Sequence, residues 1–548
     1  MNQQKQKCKT CSAEFTLLED TAQFYKRMEV PLPKDCFNCR NTRLLAFWPF
    51  GKFNKRKCDL TGKKIISLHG QYVRYPVYKN TEWYSDKWEP ATMDIDWNRP
   101  FFDQMYELQS KSPRPHQSGA KNINCDYCDD VWNSKNCYLS RAVLECENVS
   151  YSYRPFYCKD SYDLAYCYYA DQSYDCTYCF KIFNVKYAFD VRDSFDSSFL
   201  YDCRNVRNCF MCWNLRNKEY HILNKPYSKE EYFKKIKEYN LYSFSETEKL
   251  KKTFGELIKK DAYHKVDYNS KISNSDGNYL TECKECHNSF FLEKSENCFD
   301  YFRGVEDKDC CSSVGLWDGE LILNTSQLAH GYNLKHTNYC SDCRDSEYLD
   351  FCVNCKNCFG CVGLRNKQFC ILNKQYSENE YHALVSRLKE KMKKEGTYGE
   401  FFPYKMAAGG YNLSIANLHY EKNREEVERL GSFWEELDKS PEGTEKFIPP
   451  DDVRDADESI IFKAIACEKT ERLFNITRDE LAFLKSHNIP IPRQYPDVRT
   501  VERYKQLAVL NPKNVQCSLC TKIIVSYYPA EWNFKKIVCS DCYLKTVV

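Results

Sequence analysis

A stretch of 26 residues occurs twice in this chain. The first copy runs from Cys203 to Ser228 and the second from Cys352 to Ser377, at an offset of 149 and without a gap. Sixteen of the 26 positions are identical. A chain of 548 residues is too long for one ordinary hydrophobic core. The repeat indicates that two of its domains share one architecture.

The residues before each copy form a series of short, similar segments. In the first block (125–227) an Asn, Asp or Gln recurs every 9 to 12 residues and precedes an alternating run of Tyr, Phe, Cys, Val and Leu. Such alternation is typical of strands, and short strands at a regular interval predict a β-solenoid. Two segments per coil would give about 20–24 residues a turn. The second block (276–376) repeats the pattern less regularly. The predicted fold class is mainly β with some α.

A charged segment with the pattern of a capped helix follows each block. Ser228 with Glu231, and Ser377 with Glu380, have the spacing of a capping box. We expect each amphipathic helix to cover the last coil of its block, where a strand edge would otherwise be unpaired.

Thirty-three cysteines are the most unusual part of the composition. Twelve Cys-x-x-Cys pairs occur, where random placement would give about two. Paired Cys-x-x-Cys turns near each end of the chain have zinc-ribbon form, which predicts two structural sites and about two zinc ions per chain. The predicted ligands are Cys8, Cys11, Cys36 and Cys39 in the first set, and Cys517, Cys520, Cys539 and Cys542 in the second.

The two ends of the chain are copies of each other at an offset of 459. Cys8 aligns with Cys467, but the other three ligands of the first set align with Thr470, Tyr495 and Val498. Cys58 aligns with Cys517 at the same offset, and Thr61 stands where Cys520 would be. Each end is therefore predicted to be a tandem of two ribbons, one of which has lost its metal. Hydrophobic packing, with Trp83, Tyr84 and Trp88 available, replaces the ion at the N-terminal end.

These features together predict seven segments in chain order. An N-terminal tandem zinc-ribbon module (1–92) and a linker or helix (93–124) precede the first block. A helical cap and linker (228–275) separates it from the second block. A second cap with a charged linker (377–460) leads to a C-terminal tandem zinc-ribbon module (461–548).

The cysteines inside the blocks allow two interpretations. Free cysteine is a small hydrophobic residue, so these thiols are predicted to fill the core. The alternative is a further metal or an iron–sulfur cluster at four evenly spaced cysteines, Cys352, Cys355, Cys358 and Cys361.

Charge and hydropathy limit the compartment and the class of partner. The formal net charge of +3 argues against a strongly basic nucleic-acid binder. The N-terminal residues lack the apolar region of a secretory signal, and no run of 18 apolar residues occurs. We expect a cytoplasmic protein with metal-bound and free cysteines that does not associate with a membrane.

Several motifs resemble a family of uncharacterised cysteine-rich proteins from candidate-phylum bacteria. They are FYKRMEVPLPKDCFNCR at Phe24, CDLTGKKIIS at Cys58, WYSDKWEP at Trp83, NRPFFDQM at Asn98, CFGCVGLRNKQF at Cys358 and the ribbon at Cys517. The resemblance implies zinc ribbons that flank a repetitive middle, with no established activity. Some members are labelled CaiB/BaiF CoA transferases, but this chain offers neither the α/β architecture nor the catalytic aspartate of that class.

Three functional hypotheses follow from the sequence. The first is a non-enzymatic zinc-binding scaffold with a protein or glycan partner. The second is a nucleic-acid-binding protein, in which Lys52, Lys55, Arg56 and Lys57 contact phosphate while Phe50 and Phe53 stack on a base. The third is a carbohydrate-active enzyme that uses Asp190, Asp193 and Asp196, although Asp is also an ordinary turn residue. No catalytic residue is predicted for the scaffold.

Overall fold

The computed structural model describes residues 4–50, 52–437, 440–441, 443–507, 510 and 512–548; at 316, 318 and 328 it describes only the backbone. Strands hold 35% of the residues and helices 25%, which confirms a mainly β chain with some α. The chain divides into two compact units. Unit 1 contains Met1–Gln117 and Asp267–Glu435, and unit 2 contains Ser118–Val266 and Glu436–Val548. Each unit therefore joins one terminal module to one block.

Unit 1 combines short hairpins and helices with the second block. Its N-terminal strands are Gln4–Lys7, Glu14–Leu17, Asn54–Lys57, Lys64–Ser67, Val77–Tyr78 and Arg114–Pro115, and its N-terminal helices are Glu19–Arg27, Phe37–Ala46, Asn80–Trp83 and Phe101–Lys111. The strands of the second block are Gly277–Asn278, Ser289–Glu293, Glu296–Phe299, Phe302–Val305, Lys308–Cys311, Val314–Asp350, Lys356–Phe359, Gln368–Ile371 and Lys374–Gln375. The helices Glu378–Lys394, Ile415–His419 and Arg424–Arg429 follow, with 3₁₀ turns at Tyr404–Met406 and Tyr411–Leu413.

Unit 2 likewise combines one block of strands with short hairpins and helices. Strands of the first block are Gly119–Ala120, Asp129–Trp132, Arg141–Leu144, Glu147–Ser150, Lys159–Ala165, Tyr168–Asp171, Tyr174–Thr177, Phe180–Phe189, Arg192–Tyr201, Arg204–Trp213, Arg216–Ile222 and Lys225–Pro226. The helices Lys229–Ile236 and Phe244–Asp261 and the strand His264–Lys265 follow. The C-terminal strands are Ile465–Ala466, Leu473–Phe474, Lys513–Gln516, Ile523–Ser526 and Ile537–Val538. The C-terminal helices are Arg478–Ser486, Pro496–Tyr504 and Ser540–Val547, with 3₁₀ turns at Val453–Asp455, Glu458–Phe462 and Ala530–Trp532.

Apart from the two-residue strand that ends each block and pairs antiparallel, the strands of each block pair in parallel at a spacing of 12 residues. Phe180 lies beside Arg192, and Arg192 lies beside Arg204. In the second block, Lys356 lies beside Gln368 in the same way. The expected repeat of about 20–24 residues is therefore wrong, because a single segment already returns the chain to the same register.

Every third residue of the blocks has a left-handed backbone conformation. In the first block positive φ angles recur without interruption from Lys121 to Leu223, so each repeat of 12 contains four of them. The second block has the same spacing from Tyr279 to Gly315 and from Leu321 to Leu372. Asn and Asp adopt this conformation more readily than other residues with a side chain. The predicted turn residues, such as Asn136 and Asn148, are at these positions.

From Tyr127 to Met211 in the first block, the residue after each left-handed position points into the block and is buried. We call these the interior positions; in the first block the buried hydrophobic ones are Cys128, Val131, Cys137, Val143, Cys146, Val149, Cys158, Leu164, Cys167, Ala170, Cys176, Cys179, Ile182, Val185, Ala188, Val191, Leu200, Cys203, Val206, Cys209 and Cys212. Buried serines such as Ser152 share the same spacing. Burial thus has a period of three, and not the period of two that the alternating residues indicated.

Interior hydroxyl and thiol groups connect neighbouring strands. The Leu164 N–H donates to Ser152 Oγ at 3.0 Å, and the Cys158 N–H donates to Cys146 Sγ at 3.3 Å. Each acceptor lies 12 residues before its donor. The Cys146 thiol also donates to the carbonyl groups of Leu144 and Pro155, both at 3.3 Å. Serine and cysteine are thus used at interior positions because they both donate and accept hydrogen bonds.

Both predicted capping boxes are present. Ser228 accepts from the Glu231 N–H and Ser377 from the Glu380 N–H, and each glutamate accepts the N–H of its serine in return. Tyr232, on the first of these helices, is buried against Ile222 of the strand Arg216–Ile222 near the end of the first block. Within the part of the chain that the structure describes, no helix is long and apolar enough to cross a membrane.

The interior hydrogen bonds lead to a test by single substitution. Replacing Ser152 with alanine should leave the Leu164 N–H without its acceptor in a buried position and lower the free energy of unfolding by about 1–3 kcal/mol. Ser152→Cys is the matched control, because Cys146 has the same role one strand earlier. Urea denaturation followed by circular dichroism measures both. A loss in Ser152→Ala no larger than that in Ser152→Cys would contradict this account.

Candidate metal centres

The first cysteine tetrad is formed by one tight turn and one helix start. The strands Gln4–Lys7 and Glu14–Leu17 form an antiparallel hairpin whose turn begins at Cys8. The Ser12 N–H donates to the Cys8 carbonyl at 3.0 Å, and Ser12 has a φ of 62°. Cys36 is the N-cap of the helix Phe37–Ala46. This arrangement brings the two Cys-x-x-Cys pairs to one point.

The second tetrad has the same local structure. The hairpin of Lys513–Gln516 and Ile523–Ser526 carries a turn in which the Thr521 N–H donates to the Cys517 carbonyl at 3.0 Å. Cys539 is the N-cap of the helix Ser540–Val547, and its side chain accepts the Cys542 N–H. The eight predicted ligands therefore form two separate groups of four.

The sulfur positions in both tetrads suit a tetrahedral metal ion. All four sulfur atoms of each set lie within 4.8 Å of one another. Cys11 Sγ is 3.8 Å from Cys36 Sγ, and Cys520 Sγ is 3.8 Å from Cys539 Sγ. A tetrahedron with metal–sulfur bonds of about 2.3 Å has edges of about 3.8 Å, whereas a disulfide would need about 2.05 Å. Each tetrad can hold one metal ion.

Backbone amides prepare the thiols for a cation. Cys8 Sγ accepts the N–H of Cys36 at 3.3 Å, and Cys517 Sγ accepts the N–H of Cys539 at 3.3 Å. Burial opposes ionisation of Cys517, but backbone N–H donors outweigh it and lower its pKa to about 6. A hydrogen bond from the Cys39 thiol lowers the pKa of Cys36 to about 5, and Cys39 as the donor has a raised pKa. A bound cation would deprotonate the remaining thiols.

The segments around Cys58 and Cys467, which lack a full set of cysteines, keep the same hydrogen-bond framework as the two tetrads. In all four segments, the N–H of the residue after the first cysteine donates to a carbonyl just before the second half of the site or of its counterpart. These bonds are Lys9 to Lys34 at 3.0 Å, Asp59 to Val77 at 3.0 Å, Glu468 to Arg493 at 3.0 Å, and Ser518 to Ile537 at 2.9 Å. The Cys58 turn remains closed, with the Gly62 N–H donating to the Cys58 carbonyl at 2.8 Å. The sequence duplication thus corresponds to a structural one.

Aromatic packing accompanies the missing ion at the N-terminal end. Trp83 and Trp88 are buried in one cluster, with Leu60 of the Cys58 turn packed against it. Of the three aromatic residues available for packing at this end, the two tryptophans are buried, whereas Tyr84 is 58% exposed.

Each tetrad is joined to the block of its own unit. In unit 1, Arg40 follows the fourth ligand, and its guanidinium is 2.6 Å from the Asp300 carboxylate. In unit 2, Tyr543 follows the fourth ligand and donates to the Asp202 carboxylate. The position that aligns with Arg40 in the segment around Cys467 is Arg499, which is 2.6 Å from Asp163 and 3.2 Å from Glu480.

Sequence reasoning missed the carboxylate beside the first site. Asp35 is buried; it accepts from the Thr10 N–H at 3.0 Å and pairs with Arg43 at 2.7 Å. Its Oδ1 is also 3.5 Å from Cys8 Sγ. Its position directly before Cys36 was the available signal, because residues next to ligands commonly orient them.

The interior cysteines of the second block belong to neither tetrad. Among the described residues, the two tetrads are the only groups of three or more Cys, His, Asp or Glu with ligand atoms within 4.8 Å of one another. Cys352 and Cys355 instead donate to carbonyl oxygens, at distances between 3.4 and 3.6 Å. The geometry favours core filling over a cluster at Cys352, Cys355, Cys358 and Cys361.

The proposed basic cluster is divided between ion pairs and solvent. Lys52 is 3.6 Å from Glu435, and Arg56 is 2.7 Å from Asp59. Lys55 and Lys57 are exposed, whereas Phe50 is 7% exposed and so cannot stack on a base.

The three aspartates considered for catalysis occupy successive left-handed positions. Asp190, Asp193 and Asp196 have φ angles of 51°, 49° and 47°. Asp190 pairs with Arg204 at 2.8 Å, and Asp196 accepts from Asn184 at 2.9 Å. These contacts favour their interpretation as turn residues.

Metal counting on variants tests the two tetrads. Cys36→Ser should reduce the metal bound per chain by one ion, because it removes a ligand from the first tetrad. Cys58→Ser is the matched control. It should leave the count unchanged, because Cys58 belongs to neither tetrad. Native mass spectrometry of the purified chain measures the count. An equal loss in both variants would contradict the assignment.

The chain was compared with protein-family models and with curated proteins. No protein-family model matches the chain, and no curated protein matches it.

Proposed function

We propose that this protein is a non-enzymatic, zinc-stabilised scaffold with two zinc ribbons and two β-solenoids. The observation that carries the proposal is the pair of cysteine tetrads, each with the sulfur spacing of a tetrahedral ion and each joined to a block by the residue after its last ligand. The metal in this proposal holds the terminal modules on the blocks.

The donor set favours zinc and a structural role. Four thiolates in a tetrahedral arrangement are typical of structural zinc sites. They fill the coordination shell and leave no open position for a substrate or an activated water. The ligands would be Cys8, Cys11, Cys36 and Cys39 at one site, and Cys517, Cys520, Cys539 and Cys542 at the other.

Parallel pairing supports the solenoid part of the proposal. A strand that pairs with the residues 12 positions later, with four left-handed residues in each repeat, describes a coil that advances by one strand spacing per turn. Coils of this kind stack into a rigid body with long side faces, which suits the binding of another macromolecule.

Exposed aromatic residues on the first block support a protein or glycan partner. Tyr157 and Tyr169 are 39% and 53% exposed, and their rings stack at a centroid distance of 4.9 Å. Stacked, exposed tyrosines offer a flat apolar surface with polar edges, which is common in interfaces.

The identity of the metal is a direct test. Protein purified under reducing conditions should contain about two zinc ions per chain by inductively coupled plasma mass spectrometry. Iron in place of zinc, or no metal, would contradict the proposal. More than two ions would require a site among the interior cysteines.

Metal removal should loosen only the modules that contain a tetrad. A chelator should increase amide hydrogen exchange in 8–46 and 517–547 by roughly tenfold or more, because metal binding and local folding are coupled. The internal control is 467–504, where Arg499 is held by Asp163 and Glu480. Equal rates of amide hydrogen exchange in all three segments, both before and after chelation, would contradict the proposal that the metal holds the terminal modules on the blocks.

A further inference from the structure

A cleft of about 640 Å³ lies on the first block, within unit 2. The residues that line it include Asn184, Lys186, Asp196 and Arg207 of the block, Tyr232 and Ile236 of the helix Lys229–Ile236, and Asn488. This size is in the range of small-molecule sites, and the lining combines polar and charged groups with a smaller number of apolar and aromatic side chains.

Lys186 lies in this cleft without a carboxylate partner. Its amine donates to the His487 carbonyl at 2.5 Å. Among the described residues, no carboxylate oxygen lies within 4.0 Å of Lys186 Nζ, which is the limit for an ion pair. Asp196 is engaged by Asn184 at 2.9 Å and by Arg207 at 3.6 Å. Burial lowers the pKa of Lys186 to about 8, and the charge of the nearby Asp196 carboxylate offsets only part of this effect.

The second block contains the same lysine with its own anion. At the offset of 149, Lys186 corresponds to Lys335 and Ser198 corresponds to Glu347. Lys335 Nζ is 3.2 Å from Glu347 Oε1, and Lys389 Nζ is 2.6 Å from the same oxygen. Although burial disfavours ionisation of Glu347, the two lysines lower its pKa. The second block therefore has a complete ion pair at this position.

The surrounding framework is the same in both blocks. Asn333 donates to Asp345 at 2.9 Å, as Asn184 donates to Asp196 at 2.9 Å. Lys186 lies directly beside Ser198 on the neighbouring strand. In the second block, Glu347 neutralises Lys335. In the first block, the corresponding residue is Ser198, which has no carboxylate and lines the cleft.

We propose that this cleft binds a small molecule with a carboxylate next to an apolar or aromatic group. The carboxylate would take the place that Glu347 occupies in the second block, beside Lys186 and within reach of the positive charge of Arg207. The apolar part would contact Phe210, Tyr232 and Ile236, which line the cleft. This proposal is independent of the zinc sites.

Phenylacetate is a suitable probe, and benzyl alcohol is its neutral counterpart. Ligand-observed saturation-transfer NMR and calorimetry on the full-length, metal-loaded protein should show binding of phenylacetate and at least tenfold weaker binding of benzyl alcohol. Ser198→Glu should weaken phenylacetate binding at least tenfold, because it supplies the internal carboxylate. Lys186→Gln should have a similar effect, because it removes the cation.

Lys335→Gln is the matched control in the second block, and it should leave the affinity for phenylacetate unchanged. Circular dichroism shows whether each variant is folded; Ser198 is partly exposed, and Ser198→Glu keeps the test valid if Lys186→Gln is not folded. The proposal is wrong if phenylacetate does not bind at millimolar concentration. It is equally wrong if benzyl alcohol binds as well as phenylacetate, or if Ser198→Glu binds phenylacetate as tightly as the unmodified protein.

Discussion

The hydrogen bond from an interior N–H to the side chain 12 residues earlier explains why serine and cysteine recur inside both blocks. The Cys158 N–H donates to Cys146, and the Leu164 N–H donates to Ser152, so a small side chain with a lone pair serves at these positions while valine, leucine and isoleucine fill others. A buried N–H without an acceptor costs about 1–3 kcal/mol. Large interior side chains need compensation. Tyr301 is fully buried, and a Cβ at Gly304 would lie 2.7 Å from its hydroxyl oxygen.

The same constraint explains why cysteine has two roles in this chain. Interior positions recur every third residue, so neighbouring interior cysteines produce a Cys-x-x-Cys pair with no metal involved. Four of the twelve pairs belong to the two tetrads, and the other eight are in the blocks. Thiols in the blocks donate to carbonyl oxygens, whereas thiols of the tetrads face one another. Spacing alone does not separate the two classes; the hairpin turn and the helix start around a tetrad do.

Much of the candidate metal centre could be predicted from the sequence, because its determinants are local. The turn at Cys8 and the helix that begins after Cys36 depend on residues within a few positions of the ligands. The loss of ligands around Cys58 and Cys467 was also readable, since the two ends align without their cysteines. The repeat length was not predictable in the same way. Left-handed positions include Tyr151 and Leu139 as well as Asn148, and a tyrosine or leucine gives no local signal for that conformation.

By itself, the amino-acid sequence determined the mainly β character, the duplicated blocks, the capping boxes and the eight cysteines that can hold metal. Short-range patterns carry each of these features. Only the tertiary structure decided that the N-terminal module packs on the second block, through Arg40 and Asp300, and the C-terminal module on the first block, through Tyr543 and Asp202. It also decided that Lys335 has a carboxylate partner while Lys186 faces a cleft. The contacts of the two modules join residues hundreds of positions apart, and the partner of each lysine depends on which side chains the neighbouring strand brings beside it, so both follow only from how the chain folds.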